Sequence, residues 1–211
     1  MVSADLVGKV NELRRGKIGK LIARRIREFE GLGRKGNEEW FSELCFCILT
    51  ANSTARLGIK IQRELGSEGF LTLPLEELGH RLKVAGHRFP NTRARFIIEA
   101  RKFRNIKGII ERFTDTRQAR GWLAENVSGV GYKESSHFLR NVGFTDVAIL
   151  DRHVLSVLHE HGLIDGVPRS LTRGRYLEIE RKLEGLARKL GLTLGELDLY
   201  LWYSKTGEVL K

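Results

Sequence analysis

The residues best able to do chemistry lie between Gly129 and Asp151. Gly129 and Gly131 flank a valine and are followed by Tyr132 and Lys133. Glycines permit a tight turn, and a helix that begins near Lys133 directs its unpaired backbone N–H groups and the positive end of its dipole toward the same point. Such a turn binds phosphate without reading bases. We therefore predict that this segment grips a nucleic-acid backbone.

Lys133 and Asp151 could also carry a reaction. A partly desolvated lysine at a helix N-terminus is shifted toward its neutral, nucleophilic form, provided that a nearby carboxylate takes its proton. Asp151 lies eighteen residues further along the chain and is the candidate carboxylate. The ordinary alternatives are a lysine that only binds phosphate and an aspartate that only caps a helix over about 152–162. Asp151 could both cap and catalyse.

The segment from Gly129 to Lys133, followed by Asp151 in a Leu-Asp-Arg-His sequence, resembles the signature of the helix-hairpin-helix DNA glycosylases. Ser128 stands where that family often has proline, but the turn depends on the glycines. The resemblance implies that Lys133 forms a Schiff base with the sugar and that Asp151 stabilises the positive charge that develops there. The residues near the motif that we expect to bind DNA are Gly129, Val130, Gly131, Arg152 and His153.

Two further segments match positions at which this superfamily contacts a damaged duplex. Asn52, in the sequence Thr-Ala-Asn-Ser-Thr, matches the polar residue that fills the hole left by an extruded base; an ordinary helix-capping asparagine is the alternative. Arg88 and Phe89 match the loop that contacts the strand opposite the lesion. A basic group beside an aromatic ring can hold a phosphate and stack on an orphaned base.

The C-terminal sequence from Leu201 to Lys211 resembles the tail of the second, largely archaeal family of 8-oxoguanine DNA glycosylases, in which the last residue is a lysine that reaches into the base pocket. The resemblance places Trp202 and Lys211 in that pocket, although a frayed terminus is the default for an unknown chain. A chain end also supplies a carboxylate, which could accept a hydrogen bond from the N7 proton that 8-oxoguanine carries and guanine lacks. We expect this carboxylate to matter more than the lysine side chain.

Together these segments imply a bifunctional base-excision-repair enzyme that flips out and removes 8-oxoguanine from duplex DNA, then nicks the abasic strand by β-elimination. A glycosylase for another damaged or mispaired base, and a non-enzymatic helix-hairpin-helix module that holds DNA for a partner, are the alternatives. A pure binding module needs neither Lys133 nor Asp151, and the tail favours 8-oxoguanine. We expect a monomer whose partner is double-stranded DNA containing 8-oxoguanine, with no metal and no cofactor.

Composition agrees with a DNA partner. The formal charge is +11 and the isoelectric point about 9.9, which favours a polyanionic ligand. The basic face of residues 5–30 could touch DNA or simply be solvated. The sequence has no apolar run long enough for a membrane span and no signal-peptide pattern, so we expect a cytoplasmic, nucleoid-associated protein. The two cysteines, Cys45 and Cys47, are expected to be buried free thiols and are too few for the four-cysteine iron–sulfur cluster of some relatives.

Helical periodicity recurs along the chain and strand-like alternation is nowhere sustained, which predicts an all-α fold. The resemblance implies two lobes with the active site in the cleft between them. We predict a single unit over 1–211, in which the hairpin-bearing lobe covers about 53–150 and the other lobe combines about 1–52 with 151–211. The predicted helices cover 5–30 with a break at Gly16 and Gly19, a segment that Asn37 caps, 54–65, 74–85, 91–104, a segment that Asp115 or Thr116 caps and that runs to about Val127, a helix from about Lys133, 152–162, 172–190, and a last helix opened by a capping box at 193–196.

Overall fold

The computed structural model describes residues 4–211, and within these residues all regular secondary structure is helical. This confirms the predicted all-α fold. A short 3₁₀ turn at Arg101–Phe103 follows the sixth helix. The α-helices are α1 (Ala4–Arg15), α2 (Lys17–Gly33), α3 (Asn37–Thr50), α4 (Ala55–Thr72), α5 (Leu75–Val84), α6 (Pro90–Ala100), α7 (Ile106–Ile110), α8 (Thr116–Asn126), α9 (Tyr132–Asn141), α10 (Arg152–Glu160), α11 (Arg173–Leu190) and α12 (Leu194–Thr206).

Several helices begin where the sequence supplies a side-chain cap. Asp115 accepts a hydrogen bond from the amide of Arg117 at 2.8 Å, and the Thr193–Glu196 capping box opens α12 with bonds of 3.2 and 2.8 Å. The prediction for Asn37 was wrong in detail. Gly36 occupies the N-cap position, and the Asn37 side chain instead accepts from the Lys107 amide at 3.0 Å. That contact ties the start of α3 to α7, a distant part of the chain.

The core consists of two apolar clusters. The first surrounds α3, whose side chains from Trp40 to Leu49 are buried almost completely, and takes in residues as far as Val147. The second joins Leu6 to Phe29 of α1 and α2 with residues 148–209. The sequence placed α3 with the N-terminal segment, but its packing groups it with the hairpin-bearing helices. We therefore propose that the lobe boundary falls between Phe29 and Trp40 rather than near residue 52.

Two buried ion pairs join the lobes. Arg120 of α8 donates two hydrogen bonds to Glu180 of α11, one of them 2.8 Å long, and both side chains are almost fully buried. Glu180 also accepts from the amide of Ala148 at 2.9 Å. Arg140 of α9 pairs with Asp198 of α12. Because a buried charge is stable only with a partner, these pairs fix how the lobes face each other.

No helix among residues 4–211 is long and apolar enough to cross a membrane.

Candidate active site

The turn before α9 has the geometry that the glycine spacing predicts. Gly129 has a φ of 78°, and a Cβ there would lie 2.3 Å from the ring of Phe96, so only glycine fits. Gly131 is extended and precedes the first residue of α9. Val130 is buried in the core, and its amide donates to the carbonyl of Val127 at 3.2 Å, while its contact with DNA stays a prediction. Its side chain anchors the hairpin.

Lys133 is the second residue of α9 and lines a cavity between the lobes. Its Nζ lies 3.0 Å from Oε1 of Glu134, while the other carboxylate oxygen of Glu134 accepts a hydrogen bond from the Gly131 amide at 3.3 Å. This acidic partner was not predicted from the sequence. Glu134 thus links the hairpin backbone to the lysine side chain.

Asp151 lines the same cavity and is the N-cap of α10. Its Oδ1 accepts a hydrogen bond from the amide of Val154 at 2.8 Å, which is the capping role considered from the sequence. The cap uses one carboxylate oxygen, so a cap and a reactive carboxylate are compatible in one residue. The topology thus brings Lys133 and Asp151, eighteen positions apart, to one site.

The cavity has a volume of about 320 Å³, in the range of small-ligand sites. Trp202, His153 and Lys211 also line it, as the resemblance implies for the base pocket and its surroundings. The ring of His153 meets that of Trp202 edge-on at 6.1 Å. Arg152 is exposed and lies outside the cavity lining. The further residues of the wall include Thr50, Ser53, Thr54, Arg56, His137, Arg140, Ile149, Asp198, Leu199 and Glu208.

Asp198 lines the cavity and was not predicted from the sequence. It is 6% exposed and pairs with Arg140. Burial, with a smaller contribution from the negative charge of Asp151, raises the pKa of Asp198 to about 7, although Arg140 and Lys133 oppose the shift. An aspartate between leucines in an apolar helix is the sequence signal that could have identified it, because buried carboxylates are rare unless they are paired.

His137 is a second lining residue that was not predicted. It lies one turn beyond Lys133 on α9, is 8% exposed, and packs edge-on against Phe46 with 5.4 Å between ring centres. Burial, reinforced by the charges of Arg140 and Lys133, holds the pKa of His137 well below its usual range. The ring is therefore neutral at physiological pH and adds no positive charge to the cavity.

The C-terminal residue is well anchored and not frayed. Nζ of Lys211 lies 2.7 Å from Oε2 of Glu43, and it also donates a hydrogen bond to Oε1 of Gln62. Further back along the tail, Glu208 pairs with Arg56 at the start of α4. The tail after Gly207 thus crosses from one lobe to the other and forms part of the cavity wall.

The proposed contacts to the rest of the duplex lie outside the cavity. Asn52 is exposed and has a φ of 59°, in the turn whose neighbouring residues Thr50 and Ser53 line the cavity. Arg88 and Phe89 are exposed, with the guanidinium 5.1 Å from the ring centre. Asn52 is thus exposed next to residues that line the cavity.

Buried hydrogen bonds hold these two segments together. Nε2 of His87, beside Arg88, lies 2.9 Å from the carbonyl of Leu49, and Arg93 donates to the carbonyl of Ala51 at 2.7 Å. Leu49 lies in the last turn of α3, and Ala51 is the C-cap that directly precedes Asn52. The candidate hole-filling residue and the candidate opposite-strand loop therefore share one rigid support.

Comparison with known proteins decides the family. Residues 22–192 match a family model described as 8-oxoguanine DNA glycosylase. The chain belongs to this glycosylase family. Curated relatives named 8-oxoguanine DNA glycosylase/AP lyase include one from Methanocaldococcus jannaschii, 55% identical over 98% of this chain and 99% of the relative, and one from Aquifex aeolicus, 48% identical over 92% and 95%.

Solved structures of the glycosylase family agree. The M. jannaschii 8-oxoguanine glycosylase/lyase, in complex with a 15mer DNA containing 8-oxoguanine, matches with a TM-score of 0.96 and 54% identity over 98% of this chain and 99% of the other. The Thermotoga maritima 8-oxoguanine DNA glycosylase gives 0.92 and 44% over 98% and 99%. Endonuclease III bound to DNA, at 18% identity and a TM-score of 0.57 over 87% and 84%, shares the fold. The predicted family and the two-lobed helical fold are confirmed.

Among residues 4–211, no three His, Cys, Asp or Glu side chains come together as a possible metal-binding group.

Proposed function

We infer that this protein is a bifunctional 8-oxoguanine DNA glycosylase and AP lyase that acts on duplex DNA. The observation that carries the inference is the presence of Lys133 and Asp151 in the wall of one base-sized cavity, directly behind a phosphate-binding hairpin, in a chain that matches relatives of that name over nearly its whole length. A module that only binds DNA needs neither Lys133 nor Asp151. Relatives that match over nearly their whole length are named 8-oxoguanine DNA glycosylase/AP lyase, which argues against a glycosylase for another lesion.

The hairpin holds the backbone while the damaged nucleotide turns out of the stack. Unstacking costs about a few kcal/mol, which phosphate contacts and a plugging side chain must offset. The turn at Gly129 and Gly131, together with the N-terminus of α9, supplies the phosphate contacts. Asn52 enters the vacated position, and Arg88 and Phe89 contact the strand opposite the lesion.

The chemical step uses both cavity residues. As the bond between C1′ and N9 breaks, the base leaves with the electron pair, and the carboxylate of Asp151 stabilises the positive charge on the sugar. After giving a proton to a neighbouring carboxylate, the amine of Lys133 forms a new bond to C1′. Transfer of a proton from its nitrogen to the ring oxygen then opens the sugar ring and gives a Schiff base. Loss of a proton from C2′ then expels the 3′ phosphate and nicks the strand.

The lesion is read at the end of the chain. 8-Oxoguanine carries a proton on N7, whereas guanine has a lone pair there. We propose that the α-carboxylate of Lys211 accepts a hydrogen bond from that proton, and that Trp202 forms a wall of the base pocket. The lone pair of guanine would face the carboxylate instead. The pocket should therefore favour the lesion over guanine by about 1–3 kcal/mol. The anchored tail in the cavity wall supports this assignment.

The protein is proposed to act as a monomer in the cytoplasm, associated with the nucleoid through its affinity for DNA. Its +11 charge supports nucleoid association.

A labelled duplex with one 8-oxoguanine tests the function. The native protein should nick the strand at the lesion, should leave a matched guanine duplex intact, and should form a covalent adduct when borohydride is added. Lys133→Gln should bind the same duplex and form no adduct, because the nucleophilic amine is gone. An undiminished adduct in this variant would remove Lys133 from the mechanism.

A further inference from the structure

The side chain of Lys211 is fixed inside the protein. Its Nζ lies 2.7 Å from Glu43 and 4.3 Å from the centre of the buried Phe46 ring. The Glu43 side chain is only 2% exposed and that of Lys211 is 18% exposed. A buried carboxylate without a cation is costly, so the pair is held tightly in place. The final residue is thus tied to α3, an element of the other lobe.

Glu43 is itself held on both carboxylate oxygens. Nε2 of Gln62, from α4, donates to Oε2 at 3.1 Å and also to the carbonyl of Ser42 at 3.1 Å. Nδ2 of Asn141, the last residue of α9, donates to Oε1 at 2.6 Å. The carboxylate therefore cannot turn, and its position is set by three helices. One of these, α9, also carries Lys133.

We propose that Glu43 and Gln62 are positioning residues for lesion recognition: they hold the Lys211 side chain so that the terminal carboxylate stands in the base cavity. The inference rests on the proposed function, in which that carboxylate reads N7 of the base. It divides the last residue into two parts, a side chain that anchors and a carboxylate that reads. The lysine side chain is then as necessary as the chain end, which differs from the expectation drawn from the sequence.

Two substrates separate this role from a structural one. Excision of 8-oxoguanine in a single turnover requires the base to be read, whereas nicking of a duplex with a preformed abasic site requires Lys133 but no base. Lys211→Met and Glu43→Gln should slow excision about a hundredfold, the loss typical of an interacting group displaced by about 1 Å. Both should nick the abasic duplex at close to the native rate. Lys211→Arg, which keeps the charge, should recover part of the excision rate.

A double variant and a control complete the design. Because both substitutions break one contact, Glu43→Gln combined with Lys211→Met should excise no more slowly than the slower single variant. Glu64→Gln removes an exposed carboxylate of α4 that lies 3.8 Å from Lys60, and it should leave both activities unchanged. If Glu43→Gln does not fold, Lys211→Met decides alone, since it leaves Glu43 bonded to Gln62 and Asn141.

Three results would overturn the proposal. One is native-rate excision by Lys211→Met, and another is an equal loss of excision and abasic nicking, which would show a general role in the cleft. The third is a native protein that leaves 8-oxoguanine uncut. That result refutes the proposed function and the positioning role together, whereas the first two refute only the positioning role.

Discussion

At the residue scale, Asp151 is an N-cap for which we also propose a chemical role. Its Oδ1 caps α10, and in the proposed mechanism the charge of its carboxylate stabilises the positive charge on the sugar. Asparagine keeps the capping oxygen and loses the charge.

We therefore expect Asp151→Asn to fold and bind DNA almost as the native protein does, but to lose most base excision. Asp151→Ala should lose excision and, in addition, about 1 kcal/mol of stability, because the cap is gone. Single-turnover excision and chemical denaturation measure the two effects. Full excision by Asp151→Asn would end its catalytic assignment, and a large loss of stability in that variant would make capping the dominant role.

The buried carboxyl group of Asp198 leads to a prediction about how the stability of the protein depends on pH. Its folded-state pKa of about 7 lies above the ordinary value of 3.8, so the folded protein binds more protons than the unfolded chain between these values. The stability that this carboxyl contributes is therefore present below about pH 4 and is lost as the pH rises through 7. The groups that set the balance are Arg140, Asp151 and Lys133.

Asp198→Asn cannot titrate at this position. The free energy of unfolding of the native protein, minus that of the variant, should fall between about pH 4.5 and pH 7 in denaturant titrations. A difference that grows over this range would mean that the Arg140 pair outweighs burial and that the carboxyl is charged throughout.

At the element scale, the hairpin contains two glycines with different requirements. Gly129 combines a positive φ with a Cβ position 2.3 Å from Phe96, whereas Gly131 has a φ of −97° and its nearest obstacle is the flexible Glu134 carboxylate at 3.4 Å. Alanine substitutions at these two positions can therefore be compared with each other within one turn.

Gly129→Ala should distort the turn, cost about 1–3 kcal/mol of stability and weaken binding to undamaged duplex. Gly131→Ala should retain most of the native stability. Thermal unfolding and fluorescence anisotropy with labelled duplex would compare them. Equal behaviour of the two variants would show that the turn adapts and that its shape does not depend on Gly129.

At the scale of the whole molecule, the +11 charge should govern DNA affinity. The logarithm of affinity for undamaged duplex should fall linearly with the logarithm of salt concentration, with a loss of at least about tenfold between about 50 and 200 mM. Arg88→Ala should weaken binding to damaged and undamaged duplex unequally, because we propose that this exposed side chain touches the orphaned base. A salt-independent affinity would rule out the electrostatic account.

The sequence by itself determined the helical fold, most helix positions and the family. Hydrophobic periodicity and caps such as Asp115 and Thr193 act over a few residues, so local pattern fixes them. The hairpin could also be predicted from the sequence, because the spacing of the glycines dictates a turn. The predicted helix over 54–65 ends where the backbone of Gly66 leaves the helical conformation, and the helical segment that continues α4 from there to Thr72 was not predicted.

Only the tertiary structure decided which distant side chains share the cavity. Asp198 meets Arg140 across 58 positions, and Lys211 meets Glu43 across 168, so no local pattern could reveal either pair. The same holds for α3, whose apolar surface could have packed in either lobe. Long-range burial determines charge pairing and lobe membership, because the cost of an unpaired buried charge is set by the whole fold rather than by neighbouring residues.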